Sequence, residues 1–372
     1  MAIIAMHILL SIAYFIYGAL TASDSYAYYS FVSSNFRGSN WMDYYGVSTT
    51  FIEFVAFPFI NFFNFSYAAM MILFSWFGLL GFFFFYIVLN ERIRYRHAFM
   101  GYDLVVLILL LPNLHFWSSS LGKGSLIFLG FGLFFYAFNS MGKRLPALII
   151  GALIIYHVRP HIMLVVLMGS IIGLVFSTKG ASLALRTFSL LLSVAAFIYI
   201  YSDVLALTGI DEDAVYGQST NLAARSKDLL KANSGVDISQ YSFPMKLFTF
   251  WFRPLFVDSP GVMGVIVSFE NLFYIIFFSK VLRFDFINFF RQSDHVVKAA
   301  FISFIGISAA LAQISANLGL AMRQKSQVMI LMMFVILKYL DDKKHVAILR
   351  KKKSIMIRAK QVEAKERLMT KP

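Results

Sequence analysis

The chain alternates long apolar runs with short polar connectors. The runs cover 2–20, 66–90, 102–117, 125–141, 146–157, 162–177, 187–207, 261–282, 299–317 and 328–340. Most approach the roughly 20 apolar residues a helix needs to cross a bilayer. They predict an all-α, polytopic integral membrane protein with about ten transmembrane helices, some short or broken, and with both termini on one side. The stretch 146–177 can be read two ways. Twelve residues of helix at 146–157 reach about 18 Å, short of a hydrocarbon core of roughly 30 Å. A single helix over 146–177 would place the basic 91–101 connector and the basic C-terminal tail on opposite sides. Two short helices meeting at Val158-Arg159-Pro160 keep them together and are the arrangement expected. Proline lacks an N–H and disfavours helical backbone in the residue before it.

Two aromatic stretches are too short to span. The first, 51–65, carries Glu53 and Pro58; the second, 243–257, carries Trp251, Arg253 and Pro254. Both read as interfacial or re-entrant segments. The polar stretch 208–242 reads as a loop with a short helix at 222–232. The organisation expected is one transmembrane domain over 1–340, with outer loops at 21–65 and 208–260, followed by a basic tail at 341–372. No internal repeat or soluble domain is visible.

Composition supports this class. Hydrophobic residues make up 59% of the 372 and charged residues 14%, where a soluble domain carries roughly 25% charged. The 42 Phe fit lipid-facing helices. The net charge of +14 would suggest nucleic acid, but twelve of the 33 Lys and Arg lie from Lys338 onward. A basic tail after a last apolar run is a cytoplasmic topology determinant and a contact for anionic lipid, so no nucleic-acid partner is expected. In the ten-span arrangement 23 Lys and Arg fall on the tail's side and ten opposite. That bias makes both termini cytoplasmic. The first run lacks a basic flank, so it reads as an uncleaved helix rather than a signal peptide. With no Cys, disulfides, thiolate metal sites and a Cys nucleophile are excluded.

The candidate chemistry lies in isolated charges at the outer ends of helices. Lys123, in WSSSLGKGS (117–125), is the one charge between Asp103 and Lys143. A cation between two membrane-length apolar segments is costly and marks a functional candidate. Arg159 in HVRPH (157–161), Arg253 in FWFRP (250–254) and Arg323 in NLGLAMRQ (317–324) share its character. Arg matches phosphate bidentately and Lys adds a point charge, so four such cations in one outward cavity would suit a pyrophosphate. Snorkelling to headgroups is the alternative for Arg159 and Arg253.

Asp24 in DSYAYY (24–29) is the leading carboxylate. It is placed to act as general base toward a sugar hydroxyl, with Tyr28 and Tyr29 offering faces to a sugar ring. The competing reading is an N-cap followed by an aromatic belt. Asp43 in WMDYY is a second choice. His157 and His161 are four apart, but Pro160 spoils their alignment and no third ligand is evident, so they read as substrate contacts rather than a metal site. Asp211-Glu212-Asp213 could hold a divalent cation but reads as a solvated acidic turn. No cofactor is expected. Gln313 and Asn317 suit interhelical hydrogen bonds. Glu270, mid-span, should face protein and pair with some group, one of these four cations being a candidate. LGKGS is not a P-loop, and no HExxH, GxSxG or dinucleotide fingerprint occurs.

With these residues placed, the chain resembles bacterial membrane enzymes of surface-polysaccharide assembly. Asp24-Ser-Tyr-Ala-Tyr-Tyr is similar to the early acidic loop of EpsG-type and Wzy-type polymerases and GT-C-type glycosyltransferases. WSSSLGKGS through FFYAF to IIYHVRPHIML resembles their central helix pairs. FWFRP followed by SFENL, and NLGLAMRQ, resemble their later outer-side arginines. The similarity is diffuse over about 20–335, and Asp24 stands alone where GT-C enzymes often show paired acids.

The resemblance implies sugar transfer from polyprenyl-phosphate or polyprenyl-diphosphate carriers at the outer face of a bacterial inner membrane, in O-antigen, capsule or exopolysaccharide synthesis. Asp24 would be the catalytic carboxylate, and Lys123, Arg159, Arg253 and Arg323 the carrier-phosphate contacts. Partners implied are the lipid-linked saccharide, membrane lipid and other polysaccharide-assembly proteins. Two other readings stay open. One is a transporter or flippase for a lipid-linked or anionic solute; the other is a non-catalytic membrane subunit of an export complex. Alternating access usually draws on two similar halves, and none is seen.

Overall fold

The structure, a computed structural model, describes residues 1–21, 23–177, 235–238, 240–313 and 315–369, with scattered positions between 183 and 195. The expected span 187–207, the loop helix at 222–232 and Asp211-Glu212-Asp213 lie wholly or largely outside these residues, as do Arg225, Lys227 and Lys231. The described chain is helical apart from a two-stranded antiparallel ribbon, Ala98–Phe99 with Tyr102–Asp103, and one isolated bridge between Gly235 and Asn317. The helices are α1 (Ala2–Leu20), α2 (Asp24–Ser33), α3 (Thr49–Phe57, continued by a π turn over Pro58–Phe62), α4 (Tyr67–Arg92), α5 (Leu104–Leu109), α6 (Pro112–Ser118), α7 (Lys123–Phe138), α8 (Leu145–Val158), α9 (Pro160–Val175), α10 (Phe243–Phe252), α11 (Gly261–Phe278), α12 (Phe284–Gln292), α13 (His295–Ala312) and α14 (Leu318–Met369).

Five segments, in α1, α4, α11, α13 and α14, are long and apolar enough to cross a membrane; α7, α8, α9 and the paired α5 and α6 are shorter apolar helices. The protein is a membrane-embedded helical bundle. Its centre is α7 and the first half of α14, where Phe128, Phe131, Phe134, Phe135 and Phe138 and every residue from Val328 to Leu337 are buried. Many Phe therefore fill the core rather than face lipid, which corrects the expectation. Close crossings depend on missing side chains, as is common between membrane helices. A Cβ on Gly78 of α4 would sit 1.9 Å from the Ser118 carbonyl oxygen of α6. By contrast α1 buries only His7, Tyr14 and Gly18, a single stripe, and presents the rest of its surface outward.

The 146–177 stretch is a hairpin broken at Arg159, whose φ of −151° and ψ of 83° lie outside the helical region, as Pro160 requires. Its two ends return to one level. Arg144, ahead of α8, pairs with Glu91 of α4 at 2.5 Å, and the carbonyl of Phe176, after α9, accepts from Lys298 of α13 at 2.6 Å.

Three sequence expectations are corrected. The 102–117 span is broken at Leu111, because Pro112 opens α6 and holds Leu111 in extended backbone. The connector 280–298 contains the short helix α12, whose Phe286 and Phe289 pack on Tyr339. The last helix does not start at 328 or stop at 340. Asn317 Oδ1 accepts the Leu320 N–H at 3.0 Å, capping a helix that runs unbroken to Met369. The tail at 341–372 thus continues the last helix beyond its apolar span through the described residues.

The tail end of the bundle gathers the basic connectors. Arg92 pairs with Asp294, the N–H groups of Arg94 and Tyr95 donate to Asp341 Oδ1 at 2.8 and 2.9 Å, and Lys343 bonds Asp285 at 2.9 Å. The isolated charges Asp24, Lys123, Arg159, Arg253 and Arg323 all lie toward the opposite end.

Candidate functional site

The site is built by three chain breaks and one helix start. Between α1 and α2 the backbone turns extended at Thr21 and Ser23. The Ser25 and Tyr67 hydroxyls, 2.8 Å apart, then tie α2 to α4. Asp24 is the first residue of α2, and Ser23 rather than Asp24 occupies the cap position. The Asp24 carboxylate instead meets Arg323: Nη1 donates to Oδ2 at 2.5 Å across 299 residues. The Arg323 side chain is 19% exposed and that of Asp24 59%. The last helix thus presents a mostly buried cation to a carboxylate open to solvent. Arg323 also lies over the Trp117 ring, 5.8 Å from its centre. Its position inside α14, rather than in a turn between two spans, fixes its backbone.

Tyr28 follows Asp24 by one turn and is buried, against Gly122 at the start of α7. Burial pushes its hydroxyl up, opposed by the Arg323 charge and, more weakly, by a bond to Thr49 and by Arg159. So the charges of Asp24, Arg159 and Arg323 all reach Tyr28. Lys123, the first residue of α7, donates to the Ser48 hydroxyl at 2.8 Å. Ser48 donates its own N–H to the His157 carbonyl at 2.6 Å, which links α3, α7 and α8. Ser48 has φ +66° and ψ −116°, a strained geometry for a non-glycine residue, and such strain clusters at functional sites. Sequence reading missed Ser48 and Thr49; VSTT carries no signal beyond its polarity.

His157 is held between neighbours. Its Nδ1 bonds the Leu153 carbonyl at 2.8 Å, its Nε2 is 3.2 Å from the Tyr45 hydroxyl, and Phe51 stacks on it at 4.7 Å. His161 lies in the first turn of α9. Tyr29 turns away from Tyr28 and packs with Tyr26 around Tyr67. Asp43 caps a short turn by accepting the Asn40 N–H at 3.1 Å, and the buried Glu53 pairs with Arg37.

Arg253 does not join the group around Tyr28. Its guanidinium pairs with Asp258 and reaches the Tyr241 hydroxyl at 3.4 Å. Burial works against its charge, and those two bonds more than offset it. The four cations expected in one cavity therefore divide into Lys123, Arg159 and Arg323 on one side and Arg253 on the other. In this arrangement Arg253 meets Asp258, five residues on, while Arg323 meets Asp24.

Beside Arg253 lies a second, buried polar group. Lys325, fully buried, donates to the Arg253 carbonyl and to Asn271 Oδ1, both at 2.7 Å. Asn271 donates to the Pro254 carbonyl at 2.6 Å. Glu270 accepts the Asn113 N–H at 2.5 Å, the N–H that the break before Pro112 frees. The cation that offsets Glu270 is Lys325, not one of the four. The signal was present as a second charge two residues after Arg323. Gln313 does bond across helices, accepting from Lys246 at 3.3 Å.

No cluster of three or more His, Asp or Glu that could hold a metal ion occurs among the described residues. Two open apolar cavities flank α1 and share Phe15. One of about 580 Å³ lies between α1 and α4; the other, about 570 Å³, reaches Ser23, Tyr26 and Ser30 of the α2 region. Compared with protein-family models, curated proteins and solved structures, the chain matches none.

Proposed function

We propose that the protein is a membrane glycosyltransferase or polymerase. It would act on a polyprenyl-phosphate- or diphosphate-linked saccharide at the face opposite the basic tail, in cell-surface polysaccharide synthesis in a bacterial inner membrane. The observation that carries the reading is the Asp24–Arg323 pair, a solvent-open carboxylate held by a mostly buried arginine, with the Arg159 charge acting on the same Tyr28. Such an arginine has a planar fork suited to a phosphate. A carrier phosphate entering the site competes with Asp24 for that fork. Engaging it leaves Asp24 free to take the proton of an acceptor hydroxyl, while the fixed cations stabilise charge developing on the leaving phosphate. The apolar cavities along α1 lead toward α2 and would receive the carrier's hydrocarbon chain. The excess of Lys and Arg at the tail end makes that side cytoplasmic.

The test is full-length protein in liposomes given a polyprenyl-diphosphate-linked saccharide, with new glycosidic linkage as readout. Linkage formation lost in Arg323→Ala at unchanged membrane abundance is expected. Wild-type protein that forms no linkage with a range of such carriers would count against the reading. One observation favours transport as the second reading. Glu270 and Lys325 are ionisable groups buried within the bundle, and such groups often line ion or proton paths. Movement of the carrier or an anion across the liposome without a new bond would select it.

A further inference from the structure

Away from the Asp24 end, two buried histidines face each other between α1 and α6. His7 Nδ1 and His115 Nδ1 are 3.0 Å apart. His7 Nε2 lies 2.9 Å from the Ser75 carbonyl oxygen, and His115 Nε2 lies 2.7 Å from the Leu109 carbonyl oxygen. A carbonyl only accepts, so each Nε2 must carry a hydrogen. A neutral imidazole has one hydrogen to give. With both at Nε2, the two Nδ1 atoms would face each other as bare lone pairs at hydrogen-bond distance. One additional proton, placed between the two Nδ1 atoms, satisfies all three contacts.

We propose that His7 and His115 form a binding site for a single proton, and that the bound proton holds α1 against α6. The step is the uptake of one proton from water by an Nδ1 lone pair, with a change of +1 in charge and no other bond made or broken. Burial works against any charge there, and an aromatic face beside the pair offsets part of that cost. Phe82 stacks on His115 with ring centres 4.0 Å apart and meets His7 edge-on at 5.5 Å. The groups facing the pair are Ser11 of α1, Ser75 and Phe82 of α4 and, behind Phe82, Phe128 of α7. None of these titrates. Among the described residues the one titratable group acting on either ring is the other ring. His7 also lines the cavity between α1 and α4, which gives the proton a route.

The consequence falls on α1. In its first half the polar ties to the bundle are His7 and Ser11. Losing the proton sets two lone pairs against each other at the centre of that contact. α1 leads directly into α2 and Asp24, so its seating bears on the opposite end. The proposal does not depend on what Asp24 does.

The experiment uses full-length, ¹⁵N-histidine-labelled protein in liposomes, followed by solid-state NMR from about pH 4 to about pH 8. Expected is one transition in which two rings take up one proton between them, both Nε2 remaining protonated throughout. His115→Asn and His7→Asn assign the signals and should each remove the transition. If either variant fails to fold, the wild-type spectrum still decides. Two rings changing protonation independently, or a neutral ring carrying its hydrogen at Nδ1, would overturn the proposal. A second readout tests the coupling. The chain has no Cys, so Ile72→Cys on the cavity wall can be labelled alone. A spin label attached there at one fixed pH should lose mobility as pH falls through the same transition and the proton is bound, and a mobility independent of pH would remove the lock on α1.

Discussion

The Asp24–Arg323 contact allows stability and activity to be separated by one substitution. Asp24→Asn keeps the size of the side chain and removes its charge. The pair it breaks joins a side chain 59% exposed to one 19% exposed. Asp24 itself lies in water and the amide that replaces its carboxylate still offers Arg323 an acceptor oxygen, so the loss should be about 1 kcal/mol, and less at high salt. The helix start is not otherwise threatened, because Asp24 is not its cap and Ser25 keeps its hydroxyl contact with Tyr67. For a chain of this length, about 1 kcal/mol moves the unfolding midpoint by roughly 2 °C. A general base, by contrast, contributes about 10²–10⁴-fold to rate. The assay is saccharide transfer in liposomes beside thermal unfolding of the same preparation. Asp24→Asn should lose activity by that factor with its midpoint nearly unmoved. Activity within threefold of wild type would refute the role given to Asp24. A midpoint falling by far more than a few degrees would show instead that the pair is structural.

Three other substitutions probe the frame around the site. Gly78→Ala drives a methyl into the Ser118 carbonyl and should cost about 1–3 kcal/mol, read as a lowered unfolding midpoint; an unchanged midpoint would mean that α4 and α6 are not in close contact. Lys325→Met strips the Arg253 carbonyl and Asn271 of their donor, so a loss of about 1–3 kcal/mol is expected, read as a lowered unfolding midpoint; an unchanged midpoint would mean that these buried bonds do not form. Lys343 holds the Asp285 carboxyl down to about 2. A depressed carboxyl contributes fully above its free value of 3.8 and loses that contribution as pH falls toward 2, so spin labels on α12 and α14 should move apart only over that acid range, and not respond to pH there in Asp285→Asn.

What was legible in the sequence was whatever rests on periodic apolar length or on proline. The helical hairpin at 146–177 followed from Pro160, and the segregation of basic connectors from isolated charges followed from counting Lys and Arg. Pro112 carried the same kind of information but went unused, because the apolar run around it was long enough to pass for one helix. That break exposes the Asn113 N–H to Glu270, whose burial was expected but whose partner was not, and the Leu109 carbonyl to His115, which went unread. Pairings across the chain were not legible. Nothing local to Arg253 and Arg323 says that one meets a carboxylate five residues away and the other meets one 299 residues away. Those choices are made by helix packing, to which hydrophobic periodicity is blind.

The helix α14 supplies a ruler for these depths. Arg323 engages Asp24 near one end of the bundle, and Asp341 accepts the Arg94 and Tyr95 N–H groups near the other. Eighteen residues of unbroken helix separate them, about 27 Å at 1.5 Å per residue. That is close to the roughly 30 Å of a hydrocarbon core, and the ten residues Val328–Leu337 between them are all buried. The two polar levels are therefore spaced as the two boundaries of a bilayer would be, on a helix that enters the bundle by its own capped end. Lys325 lies only about 3 Å farther along the axis than Arg323, which keeps its ammonium within reach of the Arg253 carbonyl at the broken α10 end and of Asn271 Oδ1. A substitution that bent α14 between these levels would have to disturb both ends at once. The Asp24 site and the basic end are mechanically joined by that helix even though no chain of polar contacts among the described residues is needed to connect them.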